Sequence, residues 1–201
     1  MPKEQSLTNA WTTAGRLISF RRMGPPANGP EAFRAEPATR NNTGCSMDLT
    51  DLLAPDAVLG ALKANGKKQA LQELAARAAT LTGLAEREIY DTLLQREKLG
   101  STGVGHGVAI PHGRMAGLPR IFGLFARLDR PIDFEALDDE PVDLVFLLLA
   151  PESAGADHLK ALARIARLLR DPATASKLRS LSDPAALYAV LTHPLSSSNA
   201  A

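Results

Sequence analysis

The 201-residue chain holds one cysteine, Cys45. A lone thiol forms no internal disulfide and suits a reducing compartment, so the chain reads as cytoplasmic. Excess charge is missing as well: 23 Lys and Arg against 22 Asp and Glu leave a net +1. That balance gives no reason to expect nucleic-acid or anionic-membrane binding. Long apolar runs are absent. The longest, Leu144 to Ala150, has strand length, well short of the roughly 18–20 residues a membrane helix needs. Metal chemistry lacks its usual carriers, since there is no cysteine pair, no HExxH and no aspartate cluster. His106 and His112 stand six apart across a strand-like run, which is not a usual ligand spacing. The GVGHGV segment lacks the third glycine of a nucleotide fingerprint and precedes a strand where it should follow one. No GxSxG elbow marks a serine hydrolase. Neither a metal nor a cofactor is expected.

What is present is ordinary globular material, with 45% hydrophobic and 22% charged residues, enough for one good core. It is unevenly spread. Over residues 1–46, Pro2, Pro25, Pro26, Pro30 and Pro37 break any helical period. The few scattered apolar residues there cannot offset the entropy of ordering, so a disordered extension is expected. Leu17 to Phe20 is too short for a secretion signal, and Arg21-Arg22 is followed by Met-Gly-Pro-Pro where a twin-arginine signal needs an apolar stretch. An over-extended gene start or a dispensable tail also accounts for the segment.

From Met47 the composition turns globular, and a domain is placed at 47–201. Val58 to Leu62 reads as a first strand. Helical spacing follows over Lys67 to Thr82, and again from about Ala85 to Glu97. Val108 to Ile110 makes a brief strand that Pro111, lacking a donor, should stop. Ile121 to Leu128 makes another, with a turn at Asp129-Arg130-Pro131, and Leu144 to Leu149 is apolar on both faces, as in the middle of a covered sheet. A helix from about Asp157 to Arg170 follows, with Asp157 as N-cap and His158 in its first turn. Two short helices, about 173–181 and 183–191, finish the fold. Such an order implies an α/β, helix–sheet–helix sandwich.

The chain is organised around Arg96 to Arg114, REKLGSTGVGHGVAIPHGR. His112 lies between Pro111 and Gly113, an imidazole delivered bare to an edge where a second protein can reach it. Read on residues alone, it serves equally as a loop histidine with no task. The run LGSTGVGHGVAIPHGR resembles the phosphorylation-site signature of the fructose/mannitol-type (type 2) enzyme IIA family of the bacterial phosphotransferase system. LGSTG, from Leu99, is similar to the nitrogen-regulatory branch. The resemblance covers about three quarters of the chain, from near Met47 to near His193.

It implies a three-layer sandwich around a central mixed β-sheet, and a phosphocarrier whose His112 accepts a phosphoryl group from an HPr-like carrier. It also pairs the phosphoacceptor with His158, in a His-Leu at a helix start, and with Arg96, just before the LGSTG turn. Imidazole suits the task, being nucleophilic when neutral near pH 7. Phosphoryl transfer otherwise needs positioning and charge stabilisation. The candidate donors are Arg96, His158, the hydroxyls of Ser101 and Thr102, and glycine backbone N–H groups such as that of Gly113. A helix start also favours neutral imidazole and an incoming anion, which supports His158 apart from the resemblance. Otherwise His158 is a helix-surface histidine and Arg96 a solvated charge. Asp138, Asp139 and Glu140 read as solvated turn charges, and His193 as incidental. The resemblance implies regulatory target proteins, such as potassium-uptake or stress regulators. The alternatives are a sugar-specific IIA donating to a separate IIB domain, and a non-catalytic binding module.

Overall fold

The computed structural model describes residues 48–193. The extension expected over 1–46, with Cys45, and the chain beyond His193 lie outside the described residues. The apolar run near the end of the chain organises the rest. Strand β6 (Val142–Pro151) is flanked by β5 (Phe122–Ile132) on one side and by β3 (Val108–Ala109) and β4 (His112–Met115) on the other. Outside these lie β1 (Leu53–Leu62) next to β5, and β2 (Gly103–Gly105) next to β3. The sheet is mixed: β5 runs antiparallel to β6, while β3 and β4 run parallel to it. Leu144 to Ala150 are all fully buried, so both faces of β6 are covered, each large side chain contributing roughly 1.5–3 kcal/mol.

The covering helices form two groups. α2 (Lys67–Thr82) packs with α3 (Glu86–Lys98), whereas α4 (Gly155–Arg170), α5 (Pro172–Ser180) and α6 (Pro184–Thr192) pack in succession. A four-residue α1 (Leu49–Leu52) precedes β1. Local chemistry sets the boundaries. Gly83 closes α2 at φ +76°, a conformation that favours glycine. Asp171 and Asp183 each cap the next helix, with proline at its first position. No described helix is long and apolar enough to cross a membrane.

Most boundaries shift by a residue or two from the sequence expectation, and four differences have a physical reason. β1 begins at Leu53, five residues before Val58, and tolerates Pro55 because it is an edge strand with a register shift there. β5 runs on through Asp129-Arg130-Pro131, which fall in a register shift between Arg127 and Ile132. Pro111 does not end the sheet: it lacks a donor, but its carbonyl accepts from Leu148 N–H at 2.9 Å, and β4 continues along β6. Asp157 is not the N-cap of α4. The helix starts at Gly155 after a 3-10 turn over Glu152–Ala154, so His158 is its fourth residue.

Candidate functional site

His112 opens β4, directly beside Leu148 of β6. The next residue, Gly113, faces α3: a Cβ there would lie 2.6 Å from Thr92 Cγ2. That is far inside carbon–carbon contact, so only glycine lets α3 lie this close to the strand. The close approach brings the last turn of α3 beside the imidazole. Arg96 Nε donates to His112 Nε2 at 3.0 Å, and Arg96 Nη1 donates to the Gly100 carbonyl at 3.0 Å. On the other ring edge, Nδ1 lies 2.9 Å from the Ile110 carbonyl. A guanidinium can only donate and a carbonyl can only accept. The neutral ring therefore carries its proton on Nδ1 and keeps a lone pair on Nε2. Burial pushes the His112 pKa below its ordinary value; the Arg96 charge adds to that, while the Ile110 bond and Glu97 oppose it.

His158 approaches from α4, only 5% exposed, with its ring centroid 5.6 Å from that of His112 and tilted by 54°. Its Nδ1 is buried and has no hydrogen-bond partner among the described residues. Burial pushes its pKa down, and positive charge at His112 and Arg114 pushes the same way. The two imidazoles line a cleft of about 630 Å³ with Thr92, Gln95, Arg96, Lys98 and Arg114. Leu99, 86% exposed, lines it too. Arg96, Lys98 and Arg114 are cations, and among the described residues no carboxylate lines the cleft. A neutral nucleophilic nitrogen thus opens into a space that favours an anion.

Residues 51–193 match the phosphoenolpyruvate-dependent sugar phosphotransferase system, EIIA 2 family. The chain belongs to that family. Among enzyme IIA relatives, it is 70% identical over 148 residues to the nitrogen regulatory protein of Bradyrhizobium diazoefficiens, covering 74% of this chain and 97% of that one. The nitrogen regulatory protein IIA-Ntr of Neisseria meningitidis, a crystal structure, is similar with a TM-score of 0.68 and 35% identity, covering 72% of this chain and 99% of that one. The IIA mannitol enzyme of Escherichia coli, solved in complex with its phosphorylated IIB, shares the fold at TM-score 0.59 and 20% identity over 70% of this chain and 98% of that one. The chain is a type 2 enzyme IIA on the nitrogen-regulatory branch.

This enzyme IIA cleft gathers Arg96, His112, Gly113 and His158, four of the residues singled out by sequence. It does not gather Ser101 and Thr102. Ser101 Oγ donates to the Phe134 carbonyl at 2.9 Å and accepts from Gly103 N–H at 3.1 Å. Thr102 is 4% exposed, and its hydroxyl donates to Glu97 at 2.6 Å. Both hydroxyls brace the loop after α3 in this structure, outside the cleft. Arg114 was missed, although strand alternation puts residues two apart on one face and so joins it to His112. Lys98 carried no distinguishing signal. Glu97 was missed too, because nothing local reports that a charged residue at a helix end is buried. His106 comes together with Asp138 and Glu140, ligand atoms within 4.8 Å of one another. All three are exposed, and Asp138 already accepts the His106 N–H at 2.8 Å.

Proposed function

We propose that this enzyme IIA is a phosphohistidine carrier in which His112 Nε2 accepts a phosphoryl group from an HPr-like carrier protein. The observation that carries the reading is the pairing of ring contacts, Nδ1 on a carbonyl and Nε2 on a guanidinium. That pairing leaves the attacking lone pair unprotonated beside cations. In the reaction the Nε2 lone pair forms a bond to phosphorus as the carrier's own N–P bond breaks. The electron pair of that bond leaves with the carrier imidazole, which takes up a proton. Arg96 gives up Nε2 as phosphorus arrives and turns its N–H groups to the phosphoryl oxygens.

His158 acts as a neutral donor to the same oxygens. With Nδ1 buried and unpartnered, its proton belongs on Nε2, because a buried orphan N–H costs more than an orphan lone pair. Arg114 adds charge from the strand face.

A phosphoryl group brings about −1.5 to −2 charges into a cleft ringed by cations, enough to change which proteins bind there. The 70% identity to a nitrogen regulatory protein supports a regulatory output over sugar transport, with cytoplasmic targets such as potassium-uptake or stress regulators. The working domain is taken as 47–201, which the match over 51–193 supports. The test is intact mass after incubation with phosphoenolpyruvate, enzyme I and the HPr-like carrier. Wild type should gain ~80 Da, one phosphoryl group, labile in acid and stable in base, and His112→Ala should gain nothing. Equal labelling of the variant would sink the assignment.

A further inference from the structure

Glu97 is buried to 7% exposure at the C-terminal end of α3, where the helix dipole disfavours an anion. A charge kept in such a place needs compensation, and it has it. Both carboxylate oxygens accept from Thr102 N–H at 3.1 Å, one accepts from the Thr102 hydroxyl at 2.6 Å, and the other takes Lys67 Nζ at 3.2 Å. None of these partners lines the cleft. The arrangement nevertheless reaches His112 along two routes.

The first route runs to Nδ1. Thr102, pinned by Glu97, offers its carbonyl to Ile110 N–H at 2.9 Å, and the Ile110 carbonyl accepts from His112 Nδ1 at 2.9 Å. The second runs to Nε2. Tying Thr102 back to Glu97 folds the Leu99–Ser101 loop against the helix end. Gly100, at φ +149°, then holds its carbonyl on Arg96 Nη1 while Arg96 Nε meets the ring. One carboxylate thereby governs what touches each nitrogen of the phosphoacceptor.

Resting on the phosphocarrier reading of His112, we propose that Glu97 is a positioning residue for that transfer: through Thr102 it fixes the ring's tautomer and aims Arg96. Arg96 from α3 and His158 from α4 meet the ring, Arg114 stands beside it on β4, and the Glu97 charge acts on it from behind the helix end. Removing the Glu97 charge therefore also leaves the positive groups unopposed and lowers the His112 titration midpoint.

The experiment compares wild type, Glu97→Gln, Thr102→Val and Thr102→Ser in two assays. Ring 15N spectra of the unphosphorylated protein should give one Nδ1–H tautomer for His112 in wild type. In Glu97→Gln and Thr102→Val the signals should move towards a mixture of tautomers. The maximal phosphorylation rate should fall about 10- to 100-fold in both, as for a reacting group misplaced by about 1 Å, with the half-saturating carrier concentration unchanged. Thr102→Ser, which keeps the hydroxyl, should recover most of what Thr102→Val loses. If Glu97→Gln does not fold, the Thr102 pair decides alone. Wild-type ring signals in Thr102→Val, or a loss confined to carrier affinity, would overturn the positioning role. Failure of wild type to take phosphate would overturn the carrier reading instead, and the ring spectra would still decide on Glu97.

Discussion

Replacing Gly113 with alanine should damage the cleft without touching any of its polar groups. The added Cβ would stand 2.6 Å from Thr92 Cγ2, against about 3.5–4.0 Å for carbon atoms in contact, a shortfall of about 1 Å. Thr92 is β-branched within a helix, which leaves it only two favoured χ1 rotamers. Helix α3 must therefore back away from β4. Thr92 and Arg96 are four apart on that helix, hence on one face, so the shift carries Arg96 off His112. Overpacking of this kind costs about 1–3 kcal/mol, a fall in Tm of about 3–10 °C for a domain this size. A 1 Å error in a catalytic group costs roughly 100-fold in rate. Thermal melts and initial phosphorylation rates measure the two effects. Thr92→Ser deletes the offending methyl, so the double variant should regain most of both, a coupling that independent sites would not give. An unchanged melt and rate in Gly113→Ala, or a double variant no better than the single, would refute the steric argument.

Three other outcomes follow from the same geometry. His158→Ala should keep the fold but slow phosphorylation by about one to three orders of magnitude, the range for losing one transition-state donor. His158→Gln should lose less, and equal rates for all three proteins would make His158 a bystander. Arg96→Ala should raise the His112 titration midpoint, because a positive charge that disfavours imidazolium is gone. It should also slow transfer by about 100-fold or more, and a deficit that vanished at alkaline pH would mean Arg96 only keeps protons away. Both His112 and His158 have folded-state pKa values below the ordinary 6.5, so near that pH the unfolded chain binds more protons than the folded one. Their contribution to stability is complete above about pH 6.5 and is lost as pH falls towards the folded-state values; denaturant midpoints across that window should decline, and less steeply in His112→Asn.

The sequence reading succeeded where one residue pattern had one structural meaning. A short apolar run with no polar alternation, bounded by prolines at Pro141 and Pro151, fits a strand covered on both faces, and Leu144 to Ala150 became the buried β6. Alanine- and leucine-rich periodicity over Lys67 to Thr82 became α2 residue for residue. It failed where the outcome depended on a partner distant in sequence. Pro111 looked like a terminator because its missing donor is a local fact, whereas the Leu148 N–H that its carbonyl satisfies belongs to a strand reached only after folding. Ser101 and Thr102 sit in the signature and carry hydroxyls, which is all that local chemistry shows of them. The partners they hold in the free protein, the Phe134 carbonyl and Glu97, became visible only once the loop was closed.

In the proposed transfer the free protein places Arg96 on the very lone pair that attacks, which looks self-defeating until the alternatives are compared. An Nε2 left open in a half-buried site would have to find water or a proton, and protonation ends its nucleophilicity. The guanidinium fills the position and, being a cation, makes protonation harder. Leaving costs a hydrogen bond to a charged group, about 1.5–3 kcal/mol. Arrival of phosphorus offsets that cost, because the same N–H groups then meet phosphoryl oxygens carrying most of two negative charges, so that both donor and acceptor are ionised. The proposed exchange asks only that the guanidinium turn, with the end of α3 held by the Gly100 and Glu97 bonds. On the proposed reading, protection of the nucleophile and stabilisation of the product fall to one side chain, and the bonded loop behind it keeps the two roles from interfering.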